Sequence, residues 1–545
     1  MSYRPPSLED PDALERGTLP HALEWRAQAS GETPFAKFDD RPPLSAAALL
    51  SLVRRFSAAL RKRVSPGERV LLCLESSPEF LVAWLGSGHA GATIVPVVPR
   101  AGLRHFARAI ELARPVLAIV NAQAREKLAA LDDAHSAPLI EVDDAFAGAV
   151  CPVFEDRLLA TREAPDCLAC GLEAASIMFT SGTTGPPKGV RVAHLWYIWA
   201  SLDVAAAMGY GPTDVLYTCL PLGHANAQDT SFGPALLTGA RIAFDRAFHA
   251  SSFWQRIAAT EATAFNLIGN MPEILLSRPA EEVVAHGARR AFAVPALAHQ
   301  HGPFRERFGV RMVEGYGSTE IGVPVFQDVR APRLGACGRP LPGTEIRVLR
   351  EDGLPARPGE QGEICAWSPR PGSVTAGYWD DEAATAHAWA GGWFHTGDLG
   401  RFDADGFLYF TGRLSDSLRR KGENVSAFEL EAAVLELPDV AECAVVGRRR
   451  AEGDDDIVAF VVAQDGEDVD LARLRDRCRA SVGRHAVPTE IRRVDELPHT
   501  ESGKVAKAQL RAAIAAERQG GVLDAGCVPA ESEGGAGASL RNGGA

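Results

Sequence analysis

Ile177-Met178-Phe179-Thr180-Ser181-Gly182-Thr183-Thr184-Gly185-Pro186-Pro187-Lys188-Gly189-Val190 is the stretch from which the rest of the chain is read. An apolar, strand-like run enters a loop of hydroxyl and glycine residues that closes on a lysine. Glycines let a backbone approach a ligand closely, and bare N–H groups with Ser and Thr hydroxyls can cradle phosphate oxygens. Lys188 adds a point charge. The GxxxxGK[ST] spacing of a Walker A loop is absent. The competing reading, a plain surface loop, leaves the density of phosphate-type donors around one lysine unexplained.

Outward from this stretch, helical and strand-like patterns alternate. Residues 46–61 carry apolar side chains at helical spacing, 69–74 read as a buried strand, and 80–89 read as a helix. Residues 92–97 and 116–120 read as further strands, with Pro96 placing the first at its end or at a sheet edge. Such alternation predicts βαβ units and a parallel sheet. The rhythm returns with strands at 262–267 and 310–314. Past Pro342, strand-like pieces at 344–349 and 362–366 lie between Gly and Pro turns, which predicts a β-rich subdomain. Beyond Gly412 the pattern is α+β, with helices at 427–437 and 471–481 and strands at 443–447 and 457–463. The expected fold class is therefore α/β: a large N-terminal domain over 1–412, built of α/β and β-rich subdomains, and a small α+β domain over 413–517. Residues 518–545, rich in Gly, Ala, Ser and Glu, are expected to lack ordered structure. No internal repeat is visible.

Composition narrows the function classes. A chain of 545 residues exceeds a single core. Its 46% hydrophobic and 23% charged residues suit an ordinary globular protein. A net charge of −13 argues against a general nucleic-acid binder, yet says little about a small anionic ligand. The N-terminus has no basic stretch followed by an apolar one, and no apolar run reaches membrane-spanning length, so neither a leader nor a membrane span is expected. Ten scattered cysteines fit a reducing cytoplasm. Cys167 and Cys170 form a CxxC with no second pair and no histidine cluster, and read as two ordinary thiols rather than a zinc or redox centre.

Four more motifs follow. In Glu314-Gly315-Tyr316-Gly317-Ser318-Thr319-Glu320 a ring face suits a base, a hydroxyl suits a phosphate oxygen, and a carboxylate suits a hard cation. In Gly392-Trp393-Phe394-His395-Thr396-Gly397-Asp398-Leu399-Gly400 the Gly-Asp pair alone is only a turn. Gly412-Arg413-Leu414-Ser415-Asp416-Ser417-Leu418-Arg419-Arg420-Lys421-Gly422 carries a basic run that reads equally as a solvated face or as an attractor of phosphates. The last is Leu497-Pro498-His499-Thr500-Glu501-Ser502-Gly503-Lys504-Val505-Ala506-Lys507.

Together, and in this order, the five motifs resemble those of the adenylate-forming superfamily: acyl- and aryl-CoA ligases, adenylation domains of peptide synthetases, and firefly luciferase. The resemblance covers about residues 20 to 515 and is strongest to bacterial acyl-CoA ligases. It implies that Thr180, Ser181, Gly182, Thr183, Thr184, Gly185 and Lys188 hold the phosphates of ATP. It implies that Gly315, Tyr316, Gly317, Ser318 and Thr319 meet the nucleotide, Tyr316 on adenine and Thr319 at the α-phosphate, while Glu320 holds Mg²⁺. Asp398 would accept from both ribose hydroxyls, and Arg413 would contact ribose and phosphate. Gly422, beside Lys421, would line the pantetheine tunnel. Lys504 would be the catalytic lysine, carried on a mobile C-terminal domain, and Thr180, His224 and Glu320 would complete the catalytic set. A positioned ammonium suits the charge that builds when a carboxylate attacks the α-phosphate.

The implied reaction joins a carboxylic acid to ATP as acyl-AMP, releasing pyrophosphate, then passes the acyl group to coenzyme A after the small domain turns. AMP is a far better leaving group than hydroxide. A carrier-protein phosphopantetheine as acceptor, or a non-catalytic nucleotide-binding relative, are the alternatives. Three departures from the family pattern stand out. Ser415 occupies the usual hinge position, with Asp416 next to it. Residues 291–296 replace a glycine-rich loop beside the adenine. In Leu220-Pro221-Leu222-Gly223-His224-Ala225-Asn226, which resembles a segment bordering the acyl site, Gly223 stands where an aromatic is common. The missing ring predicts room for a bulky, even polycyclic, acid unless a neighbour such as Phe232 or Trp254 fills it.

Overall fold

Helix Ala46–Leu60 starts where the Ser45 hydroxyl accepts the N–H of Ala48, and it buries Leu49, Leu50, Val53, Phe56 and Leu60 on one stripe. Phe56 stacks on Phe154 at 5.7 Å between ring centroids. Packing of this kind runs throughout the computed structural model, which describes all residues except 1–2, 4–5, 132–136, 145–147, 149, 161, 165, 181–186, 421–422, 451–453, 465–467, 484–485, 500–504, 518–526 and 529–545. Of the tail expected to lack order, Cys527–Val528 are described, as a short strand beside Glu490–Arg493; the rest lies outside the described residues. Among the described residues no helix is long and apolar enough to cross a membrane.

The chain divides into two units between Ser415 and Asp416, with the late residue His499 grouped in the first. This is later than the expected break after residue 412, because Arg413 still pairs with Asp398 across the last sheet of the first unit. In that unit, one sheet has the order Leu139–Glu141, Leu117–Val120, Arg69–Cys73, Thr93–Pro96, Ala174–Thr180, Lys188–Ala193. Only its last pair is antiparallel. Thr93–Pro96 ends at its proline as expected, yet in the sheet interior; the ladder continues one step through Val97, whose N–H donates to Leu72 O (3.0 Å). A second sheet runs Arg311–Val313, Arg290–Val294, Ala264–Ile268, Val215–Thr218, Arg241–Phe244, Pro34–Phe38, Leu44–Ser45. Its strands are nearly continuous apolar runs, as parallel sheets covered on both faces require.

The β-rich part is antiparallel: Glu345–Leu349, Gly362–Trp367, Phe394–Phe402 and Leu408–Arg413, with a smaller sheet of Gly315–Ser318, Gly322–Phe326 and Arg339–Pro340. In the second unit, Val440–Arg449 pairs with Asp455–Ala463, which pairs in turn with Glu490–Arg493. Alternate residues point to opposite faces. Val445, Ile457 and Val461 pack with helices Ala427–Val434 and Leu471–Ser481, whereas Ala444, Val446 and Val458 pack with helix Lys507–Glu517.

Candidate functional site

Four neighbouring parallel strands of the seven-stranded sheet, Val215–Thr218, Ala264–Ile268, Arg290–Val294 and Arg311–Val313, end on the same edge. They deliver 219–226, 269–270, 295–296 and 314–316 to that edge. Open α/β sheets bind ligands outside the carboxyl ends of their strands.

At the glycine-rich stretch, Ala174–Thr180 and Lys188–Ala193 form an antiparallel pair with Thr180 opposite Lys188, so the two ends of the loop face each other. Ser181, Gly182, Thr183, Thr184 and Gly185 lie outside the described residues. Lys188 Nζ sits 4.8 Å from the centre of the Tyr378 ring, and the Tyr378 hydroxyl donates to Glu320 Oε1 (3.3 Å). The Thr375 N–H donates to Glu320 O (2.7 Å). One tyrosine thus links the residue assigned to phosphate with the one assigned to Mg²⁺. Tyr378 itself escaped the sequence reading; Gly377 before it, at φ +128°, was the available signal, since a side chain there would collide with Thr385. Burial, helped by Glu320, pushes the Tyr378 phenol up, keeping it a donor. The half-buried Glu320 carboxylate fits a hard cation.

Tyr316 and Arg413 meet at Asp398, which is 5% exposed. Its Oδ2 accepts from the Tyr316 hydroxyl (2.9 Å), and its Oδ1 pairs with Arg413 Nε (3.2 Å). Tyr316 lies 6.1 Å from Phe410, ring to ring. Gly317 is required by close approach: a Cβ there would lie 2.0 Å from Gly322 O. Gly315, Ser318 and Thr319 lie beside it on the same hairpin, Ser318 and Thr319 half-exposed. Behind Asp398, the Glu363 carboxylate accepts from the Gly397 N–H (3.0 Å) and pairs with His395 Nδ1 (2.7 Å). This brace holds Gly397 at φ +72° and so aims Asp398; the sequence reading named neither Glu363 nor His395 for a role. Cys365 Sγ lies 3.4 Å from the same His395 nitrogen. These three are the one group of metal-type donors found together among the described residues, and hydrogen bonds already tie them to one another.

One expectation is corrected. Residues 291–294 are not a loop: Ala291, Phe292 and Ala293 are buried in the strand Arg290–Val294, because the run is apolar and pairs on both sides. Only 295–297 bend beside the site, where the Ala296 N–H donates to the carboxyl of Glu314. Burial pushes that carboxyl up to about 8. At Gly223 a Cβ would lie 2.8 Å from Val98 Cγ1, so Val98 packs against the position where the family often carries an aromatic ring. His224, half-buried, follows Gly223 and opens the helical run Ala225–Ala227 and Gln228–Phe232.

In the second unit, Arg420 Nη1 pairs with Asp456 (3.0 Å), so this member of the basic run is engaged within its own unit. Asp416 pairs with Arg511, and Lys507 pairs with Glu431 (2.7 Å). Lys421, Gly422 and Lys504 lie outside the described residues. Cys167 and Cys170 are free thiols, and burial pushes the Cys167 thiol up to about 12.

Residues 23–379 match the AMP-binding enzyme family, and residues 429–504 match the AMP-binding enzyme C-terminal domain. A sulfoacetate–CoA ligase of Cupriavidus necator is 36% identical over 342 residues, 62% of this chain and 66% of that protein. A crotonobetaine/carnitine–CoA ligase of Salmonella paratyphi A is 31% identical over 503 residues, 87% of this chain and 96% of that protein. Among solved structures, an anthranilate CoA ligase in complex with anthranoyl-AMP superposes with a TM-score of 0.84 at 22% identity, over 92% of this chain and 98% of that one, which establishes the shared fold. The five motifs in their order and these matches lead to one conclusion: the chain belongs to the AMP-binding, adenylate-forming family of enzymes.

Proposed function

We propose that this enzyme is an acyl-CoA ligase that converts a carboxylic acid and ATP into acyl-AMP and pyrophosphate, and then transfers the acyl group to coenzyme A. The observation that carries the reading is the convergence of Tyr316 and Arg413 on the buried Asp398 carboxylate, with the Thr180–Lys188 hairpin and Glu320 joined through Tyr378. Asp398 offers acceptors to the ribose, and the Arg413 guanidinium pairs with it as counter-charge. Lys188 and the hydroxyl-rich loop after Thr180 hold the phosphates. Glu320 would hold Mg²⁺, which when bound neutralises phosphate charge. Lys504 supplies the ammonium for the charge that builds at the α-phosphate, and Gly422 leaves a path for pantetheine. The turn between the two steps pivots at Ser415, since Asp416 is anchored to Arg511. The acids in the two relatives' names, sulfoacetate and crotonobetaine or carnitine, are short and polar, which together with Val98 favours a short acid here over a polycyclic one.

The test is acid-dependent exchange of pyrophosphate into ATP, followed by thioester formation with free coenzyme A and with a phosphopantetheinylated carrier protein. Exchange plus a CoA thioester is the expected result. Exchange with no CoA thioester makes a carrier protein the acceptor. No exchange with any acid overturns the reading.

A further inference from the structure

Just past His224, three polar side chains, Asn226, Thr230 and Asn266, meet beside the sheet edge. Asn226 and Thr230 stand four residues apart, one helical turn, and face Asn266 on the strand Ala264–Ile268. The Asn266 amide donates to Asn226 Oδ1 and to Thr230 Oγ1 (3.1 Å). The Thr230 hydroxyl spends its own proton on Asn226 O (2.6 Å). Asn266 is 2% exposed, and its Oδ1 has no hydrogen-bond partner among the described residues. Asn226 is half-exposed, so the trio runs from the surface inward.

A buried carbonyl oxygen without a donor costs roughly 1–3 kcal/mol, and buried polar groups are rarely left so. The position of this one is informative. Asn266 lies on the strand between Arg290–Val294, which leads to Ala296 beside Glu314, and Val215–Thr218, which leads to His224. A molecule held by the nucleotide motif and extending along the edge towards His224 crosses the end of this strand. Val98 packs against Gly223 at the next strand's end, which favours a short molecule there.

We propose that the acid is a short one bearing a hydrogen-bond donor, a hydroxyl or an amino group, remote from its carboxylate, and that Asn266 Oδ1 receives that donor with Asn226 and Thr230 fixing the amide. The inference rests on the acid-activating function proposed above. A site built around an acceptor rejects an analogue that lacks the donor, because the acceptor is then desolvated with nothing in return.

The experiment is pyrophosphate exchange into ATP with matched linear acids, propionate to hexanoate, each beside its hydroxy and amino counterparts. In the wild-type enzyme kcat/KM should favour a donor-bearing acid over its matched alkyl acid by about tenfold or more. Asn266→Leu should collapse that ratio towards one while raising activity on the alkyl acid. Asn266→Asp keeps the shape and an acceptor but loses the amide's bonds to Asn226 and Thr230, so the preference should shrink without vanishing and shift towards the amino acids of the panel. Equal use of the alkyl acids by wild type, or an unchanged ratio in both variants, overturns the inference and leaves acid activation standing. No exchange with any acid overturns both.

Discussion

Glu314→Gln offers the sharpest physical test of the site's interior. The carboxyl is 8% exposed, receives the Ala296 N–H, and is pushed by burial from its ordinary 4.5 up to about 8. Since the folded-state value lies above the unfolded one, the folded protein keeps a proton that the unfolded chain gives up. The resulting contribution is fully present below about 4.5 and is lost as pH rises through about 8. At about 1.4 kcal/mol per pH unit, that interval sets a ceiling on the order of 5 kcal/mol at the alkaline end. Water reaching the ionised carboxylate lowers it, so roughly 2–4 kcal/mol is the difference to expect. Glutamine keeps the shape and an acceptor for Ala296 but cannot ionise. Denaturant unfolding of the first unit, followed from pH 5 to pH 9 in both proteins, should therefore give a stability difference that grows with pH in favour of the variant. A difference that stays constant across this range would show that Glu314 does not titrate where its burial places it, and the reasoning would fail.

Lys504→Ala should lower acyl-AMP formation by about a hundredfold or more, the usual cost of losing one transition-state donor, while the thiol step from supplied acyl-AMP survives; equal loss in both half-reactions would make the residue structural. Gly422→Trp should block thioester formation and spare pyrophosphate exchange, and normal thioester rates would place the pantetheine path elsewhere. Gly223→Ala should destabilise the protein by about 1–3 kcal/mol through its collision with Val98, with Val98→Ala restoring much of the loss. If Gly223→Ala instead discriminates between large and small acids at full stability, Gly223 does face the substrate.

Local periodicity carried most of the element reading. The 3.6-residue repeat over 471–481 names the same bounds as the helix Leu471–Ser481, and 46–61 differs from Ala46–Leu60 by one residue. What stayed hidden was long-range. Nothing near Gly223 points to Val98, far upstream in sequence, and nothing near Glu320 points to Tyr378. Residues 291–294 were misread because they were weighed against a glycine-rich loop rather than by their own apolar, strand-forming composition. The Asp398–Arg413 pair was legible as two motif residues, but its geometry depends on a hairpin register that only the folded sheet reveals.

That register has a consequence for protein engineering. Asp398 and Arg413 are bound to each other before the chain reaches Ser415, while Asp416 is already bound to Arg511 and Lys507 to Glu431. A splice made between Ser415 and Asp416 leaves all three ion pairs whole. The joint is thus a natural crossover for grafting the C-terminal portion of one relative onto the N-terminal portion of another, each part arriving with its own electrostatic fastenings. A splice placed ahead of Arg413 would instead separate the guanidinium from the carboxylate it was selected with, and the graft would inherit a buried acid matched to a stranger.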